Sequence, residues 1–223
     1  MSFFITLIEL TDASRRDLET IPKMHSMIHH GLTLAEYRAF LHDLYYIVWH
    51  FCPIVAAAAS RCDDSFRGVR YELYERIEEE KNHEMWVLED IEAIGGDVAG
   101  TKTNLPSAPA QAMIAFNYYA AERIHPCSVL GMLYALEVIA SVYAGRVSES
   151  IARAIGRAVD AGGFKFLSSH STMDQDHVAS LNRLVKTIED PAAQESIINS
   201  TRVNFYQFGR MFYEGGFFSH IDE

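Results

Sequence analysis

Residues 170 to 177 read HSTMDQDH, two histidines flanking an aspartate at spacings of four and three. At about 100° per residue on a helix, Asp174 lies about 40° round from His170 and His177 about 20° back the other way. The three side chains therefore leave one narrow stripe. Met173, Leu181 and Leu184 continue the same side as apolar residues. On an exposed helix the trio would simply be solvated. In line with core positions it must be satisfied, because buried polar groups without partners are costly. A metal ion is one way to do so, since imidazole and carboxylate are both metal ligands.

Two further stretches carry the same chemistry. Glu80-Lys81-Asn82-His83 is a Glu-x-x-His pair, and on a helix Glu79 and Glu80 lie within about 60° of the histidine. The competing reading is a solvated face, the usual fate of a run of three glutamates. The stretch SVLGMLYALEVIASVYAG is apolar almost all round, as a central buried helix would be, and holds one charge, Glu137. A carboxylate there is protonated, paired with an arginine, or a metal ligand; the company it keeps favours the ligand. The pooled set is three carboxylates (Glu80, Glu137, Asp174) and three imidazoles (His83, His170, His177). Zinc usually needs only four ligands and calcium avoids imidazole. Mixed ligands on separate helices suit iron or manganese, and their number suits two ions.

The elements that must position these residues read as helices. Apolar residues recur every three or four positions from Leu34 to Phe51, behind a Thr33–Glu36 capping-box spacing that follows Gly31. Pro53 is expected to kink this helix. One long helix is expected over about 66–94, ending at Gly95-Gly96, with a loop after it. More follow at about 108–123, 126–144, 148–161 and 164–188, and Asp190-Pro191 opens a last one reaching about Tyr213. No segment alternates with period two. The expectation is a single all-α domain over residues 1–223, with seven or eight helices.

Bulk properties narrow the function. A net charge of −11 and a pI near 5.3 disfavour a nucleic-acid partner. No apolar stretch reaches the roughly 20 residues that cross a bilayer, and the N-terminus lacks the marks of a signal peptide, so neither membrane association nor export is expected. Cys52, Cys62 and Cys127 are odd in number and irregularly spaced, as reduced thiols in a cytoplasmic protein would be. His25, His29 and His30 could offer a haem ligand, but haem would leave the six-residue set unexplained. Glu122 and His125 repeat the Glu-x-x-His spacing, yet His125-Pro126 reads as a helix start. Tyr45, Tyr46, Trp49 and His50 are core or the lining of a substrate pocket. The C-terminal EGGFFSHIDE could pack on a neighbouring copy, and a homodimer is expected.

With EEEKNHEMWVLEDIEAIG, HPCSVLGMLYALE and HSTMDQDH in this order, and GLTLAEYRAFLHDLYYIVWHFCPIVAAAAS before them, the chain resembles the haem-oxygenase-like diiron oxidases and oxygenases, the iron-containing redox enzymes. Their fold is shared with thiaminase II and pyrroloquinoline-quinone synthase. The resemblance runs from about His25 to Phe208. It implies a haem-oxygenase-like bundle and Glu80, His83, Glu137, His170, Asp174 and His177 as ligands to two irons. It also implies dioxygen as co-substrate and a small organic substrate such as an amino acid, a fatty acid or a natural-product precursor, with an external electron donor as a compatible partner. Some members place a glutamate seven residues before the histidine, where this chain has Arg76; others use a spacing of three, which fits Glu80, with Glu79 in reserve. The alternative within the fold is a thiaminase-II-like hydrolase, which needs a nucleophilic cysteine, or a cofactorless oxidase.

Overall fold

The structure, a computed structural model, describes residues 2–213, apart from the side chains of residues 172–178. Helices account for nearly all of it, and the described residues contain no strand. They are α1 (Phe3–Thr20), α2 (Pro22–His30), α3 (Leu34–Arg61), α4 (Arg67–Glu80), α5 (His83–Ala93), the short α6 (Val98–Thr103), α7 (Ala108–Tyr119), α8 (Ser128–Ile139), α9 (Gly145–Ala154), α10 (Lys165–Val185) and α11 (Pro191–Arg210). The count exceeds the expected seven or eight because α1 and α2 precede the first helix expected, α6 lies in the stretch expected to be a loop, and a break divides the segment expected over 66–94.

One such break matters for chemistry. The single helix expected over 66–94 is two helices, α4 and α5, separated at Lys81 and Asn82, and Asn82 takes a left-handed φ of 70°. Asparagine is among the few side chains that tolerate this conformation. Elsewhere the chain is more continuous than expected. α8 runs through a π-helical turn at Ala140–Ala144 straight into α9, so the expected boundary near Ser148 is absent. Pro53 lies inside α3, which continues to Arg61.

The start of α3 matches its sequence signature. The Glu36 N–H donates to Thr33 Oγ1 at 3.2 Å, and the Thr33 N–H donates back to Glu36 Oε2 at 2.8 Å. Two glycines set close approaches. At Gly31 (φ 85°) an added Cβ would come within 2.4 Å of the Ser150 carbonyl oxygen, where α2 crosses α9; at Gly131 it would meet the Ile197 carbonyl oxygen at 2.3 Å, where α8 lies along α11. Around that seam α3, α8, α10 and α11 enclose one apolar core.

Two helical stretches, Leu34–Arg61 and Ser128–Ala154, are long and apolar enough to cross a bilayer by length and composition, contrary to expectation. In the second, 72% of the most apolar window is buried inside the protein, as in the central helix of a bundle.

Candidate metal centre

Glu80 is the last residue of α4 and His83 the first of α5, so the pair spans the break rather than one turn of helix. The turn brings His83 Nδ1 to 2.7 Å from Glu80 Oε2. From α10, His170 Nε2 reaches the same oxygen at 3.7 Å. One donor atom from each residue lies within 4.8 Å of the others, the one such group of three or more ligand-type side chains among the described residues. Both histidines are buried, and the Glu80 side chain is 11% exposed.

Aromatic packing sets the rings. Trp86 stacks on His83 with centroids 4.0 Å apart, Phe166 stacks on His170 at 4.1 Å, and the two imidazoles meet edge to face at 4.9 Å. His170 Nδ1 lies 2.9 Å from the Phe166 carbonyl oxygen. A carbonyl can only accept, so Nδ1 carries the proton and donates it. Nε2 is then the ring atom turned toward Glu80, the second-sphere device that orients metal-binding histidines.

Burial opposes ionisation of Glu80, but the neighbouring His170 and His83 outweigh it and hold the carboxyl well below the usual carboxylate range. The result is an ionised carboxylate beside two imidazoles in an apolar place. Ring protons supply the positive charge that holds it so here, and a metal ion could supply it instead. Ligands about 2.1 Å from one ion are separated by about 3 Å when adjacent and about 4.2 Å when opposite, and the observed 2.7 and 3.7 Å match that scale. The residues present therefore fit a divalent transition metal with carboxylate and imidazole ligands.

The position of His170 depends on a residue the sequence reading passed over. Asp90, on α5, accepts from the backbone N–H of Lys165 at 2.7 Å and of Phe166 at 2.8 Å, capping the start of α10. It follows His83 by seven residues, about 20° from it around the helix. A carboxylate in register with a ligand on an otherwise apolar face was the available signal. Beside it, Tyr37 donates to the Gly163 carbonyl at 2.6 Å and stacks on Phe164.

Glu137 is buried where its helix predicted, but the described structure does not bring it into the three-residue group. Arg76 Nη2 lies 3.5 Å from Glu137 Oε1, and Arg76 Nη1 lies 3.3 Å from Glu79 Oε2. The arginine-paired alternative thus describes Glu137 as it stands, and Glu79, 52% exposed, faces Arg76 instead of the cluster. Of the two glutamates, Glu80 is the one that lies against the histidines. Asp174 and His177 lie on the α10 backbone, with side chains outside the described residues.

Glu80, Glu137 and His170 line one wall of a cavity of about 110 Å³. The rest of the lining is almost wholly apolar, including Leu44, Val48, Phe51, Ala140 and Phe208. At about 10–15 Å³ per water, this is room for several water-sized groups. The row suggested for a pocket is not part of this lining: Trp49 is 47% exposed and His50 is engaged with the Tyr118 hydroxyl at 3.0 Å. α3 faces the cavity with the stripe Phe40, Leu44, Ile47, Val48 and Phe51 instead. His125 is a capping residue as expected, its Nδ1 accepting from the Cys127 N–H at 3.1 Å.

A family model described as iron-containing redox enzyme matches residues 38–204, which spans α3 to α11 and every residue of the site. The chain belongs to this family. Solved structures agree with the fold of this family member. A domain of unknown function with a heme oxygenase-like fold from Shewanella denitrificans OS217 superposes with a TM-score of 0.84 at 20% identity, covering 94% of this chain and 90% of that one. A TenA homolog from Pseudomonas syringae pv. tomato DC3000 gives 0.77 at 13% identity over 93% and 89% of the two chains. A TenA homologue from P. horikoshii OT3 gives 0.75 at 14%, over 97% and 100%. At these identities the structures speak for the fold alone. No curated protein matches the sequence. The iron-containing redox family member is thus a heme-oxygenase-like helical bundle with a Glu-His-His group opening onto an apolar chamber.

Proposed function

We propose that this protein is a non-haem iron oxidoreductase that uses dioxygen to oxidise or cleave a small, largely apolar organic substrate. The observation that carries the reading is the convergence of Glu80, His83 and His170, two of which, Glu80 and His170, line an otherwise largely apolar cavity. Glu80, His83 and His170 would hold one ion, and Glu137 with Asp174 and His177 a second. Ferrous iron there would supply the electrons that dioxygen requires. The protein's own residues do the rest. The anionic Glu80 offsets metal charge, the Phe166 carbonyl keeps His170 in its ligating tautomer, and the apolar lining excludes water from the reacting groups. The substrate would lie against Leu44, Val48, Phe51 and Ala140, with its reacting carbon or nitrogen toward Glu80 and His170.

The thiaminase-like alternative shares the fold, but its chemistry needs a thiolate. Burial pushes the Cys52 and Cys62 thiols up to about 11 and the Cys127 thiol up to about 12. None of the three lines the cavity among the described residues. The test is oxygen consumption by protein loaded with ferrous iron under anaerobic conditions, against medium-chain fatty acids, amino acids and aromatic acids. An oxidoreductase of this kind consumes oxygen faster with its substrate, and loses that activity on chelation. Turnover indifferent to chelators and to removal of oxygen, but abolished by thiol blockade, would overturn the reading in favour of the hydrolase.

A further inference from the structure

Arg76 is 2% exposed, four residues before Glu80 on α4. A guanidinium stays charged at any relevant pH, and burying it is costly unless carboxylates compensate. Two do. Glu137 lies at 3.5 Å on the cavity side and Glu79 at 3.3 Å on the solvent side. Arg76 therefore supplies positive charge to the buried carboxylate of α8, the charge that a metal ion at Glu137 would otherwise supply.

We propose that Arg76 is a displaceable counter-cation that holds Glu137 in the absence of a second metal ion and so makes metal loading stepwise. The proposal rests on the metal reading above. The first position, Glu80 with His83 and His170, is assembled, and the Arg76–Glu137 pair need not break for it to fill. An ion claiming Glu137 must part it from Arg76 and then sit near a buried guanidinium, and both effects weaken its binding. Glu79 gives Arg76 somewhere to go: as Glu137 is taken, the guanidinium keeps its partner at the surface. Arg76 is thus a positioning residue, acting on the metal through Glu137.

Anaerobic equilibrium dialysis with ferrous iron, with bound metal measured directly, tests this on the full chain. Wild type should take up a first ion tightly and a second at least about tenfold more weakly, the size typical of changes to groups around metal ligands. Arg76→Met, which keeps bulk and removes charge, should tighten the second step about tenfold and leave the first unchanged. A purely structural arginine would not tighten anything when removed. A normal first step with an unaltered or weakened second step in Arg76→Met would overturn the role of Arg76 alone. A wild type that binds no first ion would overturn the metal reading, and this proposal with it. Should Arg76→Met fail to fold, wild type labelled with ¹⁵N-arginine and titrated with Zn(II) decides the matter. The Arg76 Nε–H resonance should hold through the first equivalent and move during the second; no movement would overturn the proposal.

Discussion

Glu80 is the side chain on which the candidate centre turns, because two imidazoles converge on one of its carboxylate oxygens. Glu80→Gln keeps the shape and removes the charge, and it should abolish tight binding of the first iron, as measured by dialysis. The same carboxylate has a signature in the metal-free protein. Its folded pKa lies below the unfolded value of about 4.3. The stabilisation it contributes is therefore in force above that value and is lost as pH falls through the lower, folded one. Urea unfolding of wild type and Glu80→Gln should differ most near neutral pH, and the difference should shrink below about pH 4. A gap independent of pH would mean that the carboxylate is not held ionised by its histidines. Glu137 shows the limit of reading one residue at a time. Its burial was legible from the apolar helix around it, whereas its partner was not, because Arg76 lies sixty-one positions earlier on another helix.

Among the helices, the break between α4 and α5 and the cap of α10 decide whether the donors meet. The sequence joined α4 to α5, because propensity alone carries no penalty for asparagine large enough to end a helix. The left-handed residue turns the chain so that the end of one helix and the start of the next share one point. Asn82→Val should destabilise the protein by about 1–2 kcal/mol, since a β-branched side chain resists positive φ, and it should weaken iron binding with it; Asn82→Gly should do neither. Asp90 acts on the other helix. Asp90→Ala removes both N–H acceptors at the start of α10, and loss of a cap of this kind costs about 1–2 kcal/mol. Because His170 sits in the second turn of that helix, the variant should also lose affinity for the first ion. A stable Asp90→Ala protein with wild-type iron binding would show that α10 is positioned by core packing alone.

For the molecule entire, the bundle encloses a chamber whose walls come from distant parts of the chain, and its shape should set what the enzyme accepts. Ala140→Leu adds bulk to the apolar lining beside Glu137. It should leave iron content unchanged while raising KM or abolishing turnover for the longer substrates, measured as substrate-stimulated oxygen uptake. The all-α class and the burial of the 128–145 stretch were legible in the sequence, each following from local spacing that a helix converts directly into a face. Glu80, His83 and His170 stood out as ligand-type residues by their chemistry. The break between α4 and α5, the capping role of Asp90 and the pairing of Arg76 with Glu137 were not legible. Those depend on which helices lie against each other, and contacts between residues far apart in the chain leave no periodic trace. Spacing told which residues share a side of a helix; the packing of α4, α5, α8 and α10 told what that side meets.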